Sequence, residues 1–423
     1  MHVLLSAYAC KSNSGSEEGN GWGWATQLAE RGLRVHVLTT RKHQEDIEAE
    51  QQRRPFPNLS FSFLEPRRKG LRPGHGLHYL AWQFAAVDTA RELHAKDPFD
   101  VAHHITYGSI HVPSQLWRLR IPVVFGPVGG GQTSPFSMRS YFGAGKQKEL
   151  LRTVFTKALR FSPLHRYWIR RMTVVFATNE ETLRLARQLG KKDAALALDV
   201  AIPESFLSDC SRRFGERAGP LRLLWTGRMM PRKALALTLD ALAAAQADVM
   251  LTILGAGYPP EVVREMIASR GLESKVVWSG GAVPWSEVRE AYQTHDAFLF
   301  TSLRDSCGAQ LLEAMALGLP ILTLDHQGAR LVTPDEAGYK VPVTDKQGTI
   351  RAIARAIDAF ASLPVEERDA MSMAGWKAAR NLTFGVRAER AEALYRRILA
   401  AWEIQQNSRP RSGKLRLTDV TAI

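Results

Sequence analysis

Short apolar, β-branched runs recur along the chain, each followed by apolar residues at helical spacing. "HVLLSAY" reads as a strand, "GWATQLAERG" as a helix and "RVHVLTT" as a strand. "FDVAHHI", "IPVVFGPV" and "TVVFATN" follow as strands, the last leading into the helix "EETLRLARQLG". This rhythm predicts an open, doubly wound parallel sheet with helices on its faces. The polar stretch "SDCSRRFGERAGP" breaks it and reads as a linker. The pattern then restarts with "LRLLWTG", "DVMLTILGAG", "KVVWSG", "AFLFTS" and "PILTLD", with helices between them. The predicted architecture is therefore α/β, with two Rossmann-like domains in tandem. The boundaries are 1–208 for the first domain, 209–220 for the linker and 221–385 for the second domain. A closing helix, "RAERAEALYRRILAAWEI", spans 386–404, and a loose basic tail spans 405–423. Two such sheets usually hold a ligand at their carboxyl edges, so a cleft between them is expected.

Candidate chemistry concentrates in "TSLRDSCGAQLLEAMALGLP", where Asp305 and Glu313 stand among small and apolar residues. The pattern puts Asp305 in a strand-to-helix loop and Glu313 in the first turns of the helix. Gly308 would let a ligand approach the unpaired amides of Ala309 and Gln310, an arrangement suited to phosphate. The carboxylates suit sugar or ribose hydroxyls. A plainer reading stays open: Asp305 as a helix cap and Glu313 as the partner of a buried arginine. "TGRMMPRKAL" places Arg228 and Lys233 in another strand-to-helix loop at the same sheet edge. Two fixed cations there can hold a diphosphate without a metal and stabilise its charge as it leaves. Two solvated surface cations are the alternative.

"GRMMPRKAL", "LTILGAGYPPE", "KVVWSGGAVPWSEVREAYQTHDAFLFTS" and "RDSCGAQLLEAMALGLPIL" occur in this order. As a set they resemble the retaining nucleotide-sugar glycosyltransferases of the family-four type, which have the two-domain GT-B fold. The likeness covers about residues 221–345. In the first half, "GSEEGNGWGWATQLAERGLRVHVLTT", "HHITYGS" and "GPVGGG" resemble the family more weakly. The resemblance implies that Arg228 and Lys233, with the amides of Ala309 and Gln310, bind a donor diphosphate. Glu313 would hold the ribose, and Asp305 would meet the transferred sugar. Ala282 and Val283 would lie along the base, with Gly255 and Gly257 near the donor. Asp305 stands where the family has a glutamate, about 1.5 Å shorter in reach. Ala234 replaces a glycine after the lysine, a change expected to matter little because alanine suits a helix start.

The implied reaction moves a sugar from a nucleoside diphosphate to an acceptor hydroxyl with retention, without a cofactor or metal. In the first half, the glycine-rich loops holding Glu17, Gly19, Gly21, Gly129 and Gly130 are expected to line the acceptor side. His103 and His104 follow a strand and are candidates to face the cleft, or else are hydrogen-bonded structural histidines. Other readings remain: a different enzyme of the same fold, such as an epimerase or phosphorylase, or a binding protein on an inactive transferase fold.

Composition changes the picture in two places. The chain has 56 basic and 42 acidic residues over 423 positions, a net charge of +14 that favours anionic partners. Residues 137–173 carry nine Lys/Arg and one acid, and "LLRTVFTKALRF" has apolar residues at helical spacing. Residues 146–160 therefore read as an amphipathic helix that either docks on an anionic membrane bearing a lipid-linked saccharide acceptor or packs on its own domain. Nucleic acid is not expected, since no recognition motif accompanies the charge. The three cysteines, Cys10, Cys210 and Cys307, form no Cys-x-x-Cys pair, and Cys307 reads as a packing residue. With no signal-like start, the expected location is cytoplasmic, peripheral on the inner face of the membrane.

Overall fold

The computed structural model describes residues 1–12, 14–66, 76–209, 211–216 and 219–407. Cys210, part of the expected linker and the tail from residue 408 onward lie outside them.

The chain divides into two compact units. One comprises Met1–Gly131, Thr156–Ala201 and the C-terminal segment from Phe384; the other comprises Gln132–Phe155 and Ile202–Thr383. Each contains one parallel sheet, as the repeating rhythm predicts. In the first, β1 (His2–Ser6), β2 (Arg34–Thr40), β3 (Leu59–Leu64), β4 (Val101–His104), β5 (Val123–Val128), β6 (Val174–Ala177) and β7 (Ala195–Leu196) lie in the order β3-β2-β1-β4-β5-β6-β7. In the second, β8 (Leu221–Thr226), β9 (Val249–Leu254), β10 (Val276–Trp278), β11 (Ala297–Phe300), β12 (Ile321–Leu324) and β13 (Gly338–Val341) lie in the order β10-β9-β8-β11-β12-β13. Every pairing is parallel. In both, the order reverses beside the first strand of the sheet, the point at which doubly wound sheets open a crevice at their carboxyl edge.

The central strands β1, β11 and β12 are buried throughout, so both their faces are covered and their sequences are near-continuous apolar runs. In the second unit, Leu223, Trp225, Leu251, Ile253 and Leu299 pack under the helices Leu235–Ala244 and Lys346–Ala361. Met138 and Phe142 join that core. Burial of these two side chains fastens residues 132–155 to the second unit, although the sequence places them within the first domain. The last helix, Phe384–Asn407, behaves in the opposite way. Its Leu394, Tyr395 and Ile398 pack with Leu5, Trp24 and Phe176 in the first unit. The expected linker begins late, since Phe206 is already buried in the second unit and Phe214 is bound to it by an N–H bond to Asp369.

"GSEEGNGWG" is not a loop. The first helix runs Ser16–Glu30 and carries Gly19 and Gly21 within it. A methyl group on Gly21 would lie 2.1 Å from the Ala9 carbonyl oxygen, so a helix tolerates glycine here because its backbone must press against the segment after β1.

Candidate functional site

In the second unit the loops after β8, β9, β11 and β12 leave the same edge of the sheet, since all pairings are parallel. The β8 loop carries Gly227 to Lys233, and the β11 loop carries Ser302 to Gly308. Lys233 Nζ lies 2.5 Å from Asp305 Oδ2, and Arg232 Nη1 lies 3.2 Å from the same oxygen. Ser302 Oγ donates to it as well, at 3.3 Å. Burial pushes the Asp305 carboxyl up, but the charges of Lys233 and Arg232 and the bonds from Lys233 and Ser302 outweigh it and hold the group below the usual carboxylate range. Asp305 is therefore an ionised acceptor and does not cap the next helix: Ala309–Ala316 begins after Gly308 without a side-chain cap.

Lys233 is buried, with its ammonium 5.0 Å from the centre of the Phe300 ring. The same ring explains Gly308, where a methyl group would approach Phe300 to 2.7 Å. Its lack of a side chain is thus required by packing before any ligand is considered. Gly255 and Gly257 have the same kind of reason, at φ +157° and +140°. A side chain at either would strike the Gly227 or Met229 carbonyl at 2.0 and 2.2 Å. These contacts lock the β8 and β9 loops together through Gly227 N–H to Leu254 O and Met229 N–H to Ala256 O. The site of a methyl on Gly227 lies 3.4 Å from Gln310 Nε2, so the loop bearing Arg228 abuts the start of the helix Ala309–Ala316. Arg228 itself is exposed.

Glu313 lies one turn into that helix. Tyr292 Oη donates to Glu313 Oε2 at 3.1 Å and is 3.1 Å from Thr226 Oγ1. Burial raises the Glu313 carboxyl above its ordinary range, against the hydrogen bonds from Tyr292 and Trp285. No arginine pairs with it among the described residues. Ala282 is exposed and Val283 half-buried, in the turn between β10 and the helix Trp285–Thr294.

Ala234 does not sit here through a preference for a helix start. It sits at φ 51°, ψ 47°, the left-handed region, immediately before the helix Leu235–Ala244. A side chain there costs about 1–2 kcal/mol, which a glycine would avoid.

Sequence reasoning missed the residues that tie this edge together. Gln327 accepts from the Asp305 N–H through Oε1 at 3.0 Å and donates through Nε2 to the Thr133 carbonyl at 2.9 Å. Arg304 Nε lies 2.8 Å from Glu149 Oε1, and Arg152 Nη1 donates to the Gln132 carbonyl. Arg232 and Arg304 were visible as neighbours of Lys233 and Asp305. Nothing local signals Glu149 or Arg152, about 150 positions away in the chain.

In the first unit, His103 and His104 do not face an opening. Both are fully buried. His103 Nε2 donates to the Gly126 carbonyl and its Nδ1 meets Tyr395 Oη; His104 meets Ser6 Oγ and Tyr79 Oη. Burial pulls them down to about 4 and about 3, so both stay neutral structural groups. Glu17 accepts the Tyr107 N–H at 3.0 Å rather than capping its helix. Gly129 N–H bonds the Gly108 carbonyl, and the Gly130 carbonyl accepts from His111 Nε2. Among the described residues, no three His, Cys, Asp or Glu side chains gather as they would around a metal ion.

The family profile described as "Glycosyl transferases group 1" matches residues 220–359, and the "Glycosyl transferase 4-like domain" profile matches residues 22–198. The chain belongs to the family-four type of GT-B glycosyltransferases. It is 31% identical over 160 residues to the putative colanic acid biosynthesis glycosyltransferase WcaL of Escherichia coli K12, covering 36% of this chain and 38% of that one. To the lipopolysaccharide 1,6-galactosyltransferase of Salmonella typhimurium LT2 it is 31% identical over 113 residues, covering 26% and 32%. The chain thus spans well under half the length of these two relatives. Among solved structures, Anabaena HepE in complex with UDP and glucose superposes with a TM-score of 0.60 at 16% identity, over 93% of this chain and 99% of that one. The apo form of the lipopolysaccharide outer core galactosyltransferase WaaB superposes with a TM-score of 0.64 at 14% identity, over 94% and 100%. These likenesses show the fold.

Proposed function

We propose that this family member moves a sugar from a nucleoside diphosphate to an acceptor hydroxyl, with retention and without a metal, during assembly of a cell-surface polysaccharide. The observation that carries this reading is the convergence of Lys233 and Arg232 on Asp305 beside the start of the helix that holds Glu313. Lys233 is paired with Asp305. A diphosphate at the Ala309 and Gln310 amides would draw Lys233 and Arg228 to its oxygens and leave Asp305 to accept from the sugar hydroxyls. Glu313, buried and held by Tyr292 and Trp285, would accept from the ribose. As the bond from anomeric carbon to phosphate oxygen breaks, Lys233 and Arg228 stabilise the growing charge on the leaving group. The acceptor oxygen bonds to the anomeric carbon on the same face, and its proton passes to the leaving phosphate. UDP is the nucleoside diphosphate to try first, because HepE holds UDP and glucose in the same fold.

The test is a panel of nucleoside diphosphates and their sugars read by melting temperature. At least one diphosphate should stabilise the protein, and Lys233→Met should remove most of that shift. A panel in which none stabilises the wild type, or in which Lys233→Met binds as well, would count against the reading. Product stereochemistry by NMR tests retention, and turnover undiminished by EDTA tests metal independence.

The helix Lys146–Ala158 supports docking on an anionic lipid surface, where a lipid-linked acceptor would be met. Leu150, Leu151, Val154 and Phe155 are 52%, 70%, 57% and 55% exposed. At 100° per residue they fill an arc of about 140°. Lys146 and Lys157 flank it on one side and Lys148 on the other, all exposed. The apolar stripe is therefore not spent on the domain's own core. Arg152 belongs to the inward face, so it is not part of this surface. No described helix is long and apolar enough to cross a membrane. Binding to vesicles containing phosphatidylglycerol should fall at least tenfold when Lys146, Lys148 and Lys157 become Gln. Unchanged binding would remove this helix as the docking element.

A further inference from the structure

Two loops of the first unit meet where its strand order reverses. One follows β1 and leads into the helix Ser16–Glu30; the other follows β4. Such a switch point is where a doubly wound sheet holds its ligand. Ala9 N–H donates to Thr106 Oγ1 at 3.1 Å and ties the two loops together. The next residue, Tyr107, lies in the left-handed region at φ 53°. A bulky residue takes that conformation only where its surroundings hold it, and such positions gather at functional sites. Here Glu17 holds it, since Glu17 Oε2 accepts the Tyr107 N–H at 3.0 Å.

The result is an aromatic ring presented to solvent. Tyr107 is 39% exposed, and the buried rings of Tyr8 and Tyr79 brace it, with centroids 4.7 and 5.9 Å from its own. Those two rings are fixed in turn: Tyr8 Oη lies 2.9 Å from His78 Nδ1, and Tyr79 Oη lies 2.7 Å from His104 Nε2. Glu17 is half-buried beside the platform. Burial raises its carboxyl, opposed by the Tyr107 N–H alone. No Lys or Arg pairs with it among the described residues. A carboxylate has about four acceptor positions, so the Tyr107 N–H leaves room for further donors.

An exposed ring beside a carboxylate without a cation suits one chemistry. The C–H groups on the flat face of a sugar carry slight positive charge and pack on the negative face of an aromatic ring. Neighbouring hydroxyls donate to the carboxylate. A phosphate would instead meet repulsion from Glu17.

We propose that Tyr107 and Glu17 form a sugar-binding site, with the Tyr107 ring as its platform and the Glu17 carboxylate accepting from the sugar hydroxyls. The acceptor substrate is accordingly the terminal sugar of a saccharide, not a lipid alcohol or a lipid phosphate. That assignment to the acceptor rests on the glycosyl-transfer reading; the existence of the sugar site does not.

Methyl glycosides of glucose, galactose, mannose and N-acetylglucosamine are titrated into the full-length protein and read by saturation-transfer NMR. Wild type should bind at least one of them. Tyr107→Ala and Glu17→Gln should each weaken that binding about tenfold. Tyr107→Phe keeps the ring and should bind as wild type does. Glu17→Gln keeps an oxygen for the Tyr107 N–H, so its loss reads the charge and not the loop. Nucleoside diphosphate affinity, which belongs to the second unit, should be the same in all three variants, a result that misfolding cannot produce. No glycoside bound by wild type, or equal binding in Tyr107→Ala and Glu17→Gln, would overturn the site. With the donor identified in the panel above, octyl glycosides should be glycosylated and farnesyl phosphate should not. Faster transfer to farnesyl phosphate would overturn the acceptor assignment. If no nucleotide sugar is turned over while glycoside binding still depends on Tyr107 and Glu17, the transfer reading fails and the sugar site stands.

Discussion

Lys233→Met removes the ammonium from a buried ion pair while keeping most of the side-chain volume against Phe300. Deleting one member of a buried pair costs about 3–5 kcal/mol when the survivor has no other partner. Asp305 keeps Arg232 at 3.2 Å and Ser302 at 3.3 Å, so about half of that should appear, ~2 kcal/mol at pH 7. The sign with pH follows from Asp305. Its folded carboxyl lies below its unfolded value, so its stabilisation is present above the unfolded value and is lost as pH falls through the folded one. In Lys233→Met the carboxyl titrates at higher pH than in wild type, because the largest opposing charge is gone. The gap between the two proteins should therefore be widest near neutrality and shrink below about pH 4, the ordinary carboxylate range. Urea unfolding followed by tryptophan fluorescence from pH 7 to pH 3.5 reads it. A double-mutant cycle with Asp305→Asn should return a coupling of about 1.5–2.5 kcal/mol at pH 7. A gap that stays constant with pH, or a coupling under about 0.5 kcal/mol, would refute the pairing as the source of the stability.

Glu313 should behave in the opposite way. Burial raises its folded carboxyl above the unfolded value, so it detracts from stability as pH rises through that range. Glu313→Gln should leave stability at pH 7 equal or higher, by up to ~1 kcal/mol, yet weaken nucleotide affinity about tenfold; calorimetric binding and urea unfolding on one preparation check both. Ala234→Gly should change stability by less than ~0.5 kcal/mol, because relief at φ 51° offsets the lost methyl and the freer unfolded chain. Ala234→Val should lose more than ~2 kcal/mol, and a reversal of that order would remove the backbone argument. His103 and His104, fully bonded and buried, should show no imidazole titration by NMR between pH 5 and pH 8, whereas midpoints in that window would mean that water reaches them.

What could be read in the sequence was what is local. The central strands announce themselves because burial on both faces demands unbroken apolar runs. The edge strands β3, β7 and β13 went unnoticed. "LSFSFL" is exposed or half-buried after its first residue, "AL" is two residues long, and "GYKV" mixes a lysine into the pattern. The two acids and Lys233 stood out because charge amid apolar residues needs a reason. Their partners did not, since Gln327, Glu149 and Arg152 reach the site only through folding. The glycines misled in one respect: at Gly308, Gly255 and Gly257 the structure gives packing reasons that a sequence cannot distinguish from ligand access. The assignment of residues 132–155 and of the last helix likewise rests on the burial of Met138, Phe142, Leu394 and Tyr395, which no boundary signal records.

The central claim is that the carboxyl edge of the second sheet grips a nucleoside diphosphate. A crystal structure with that ligand bound tests it most directly. The account predicts phosphate oxygens within hydrogen-bond reach of Lys233 Nζ and of the Ala309 and Gln310 amides, with Asp305 released from Lys233. A diphosphate seated elsewhere, with Lys233 still on Asp305, would contradict it.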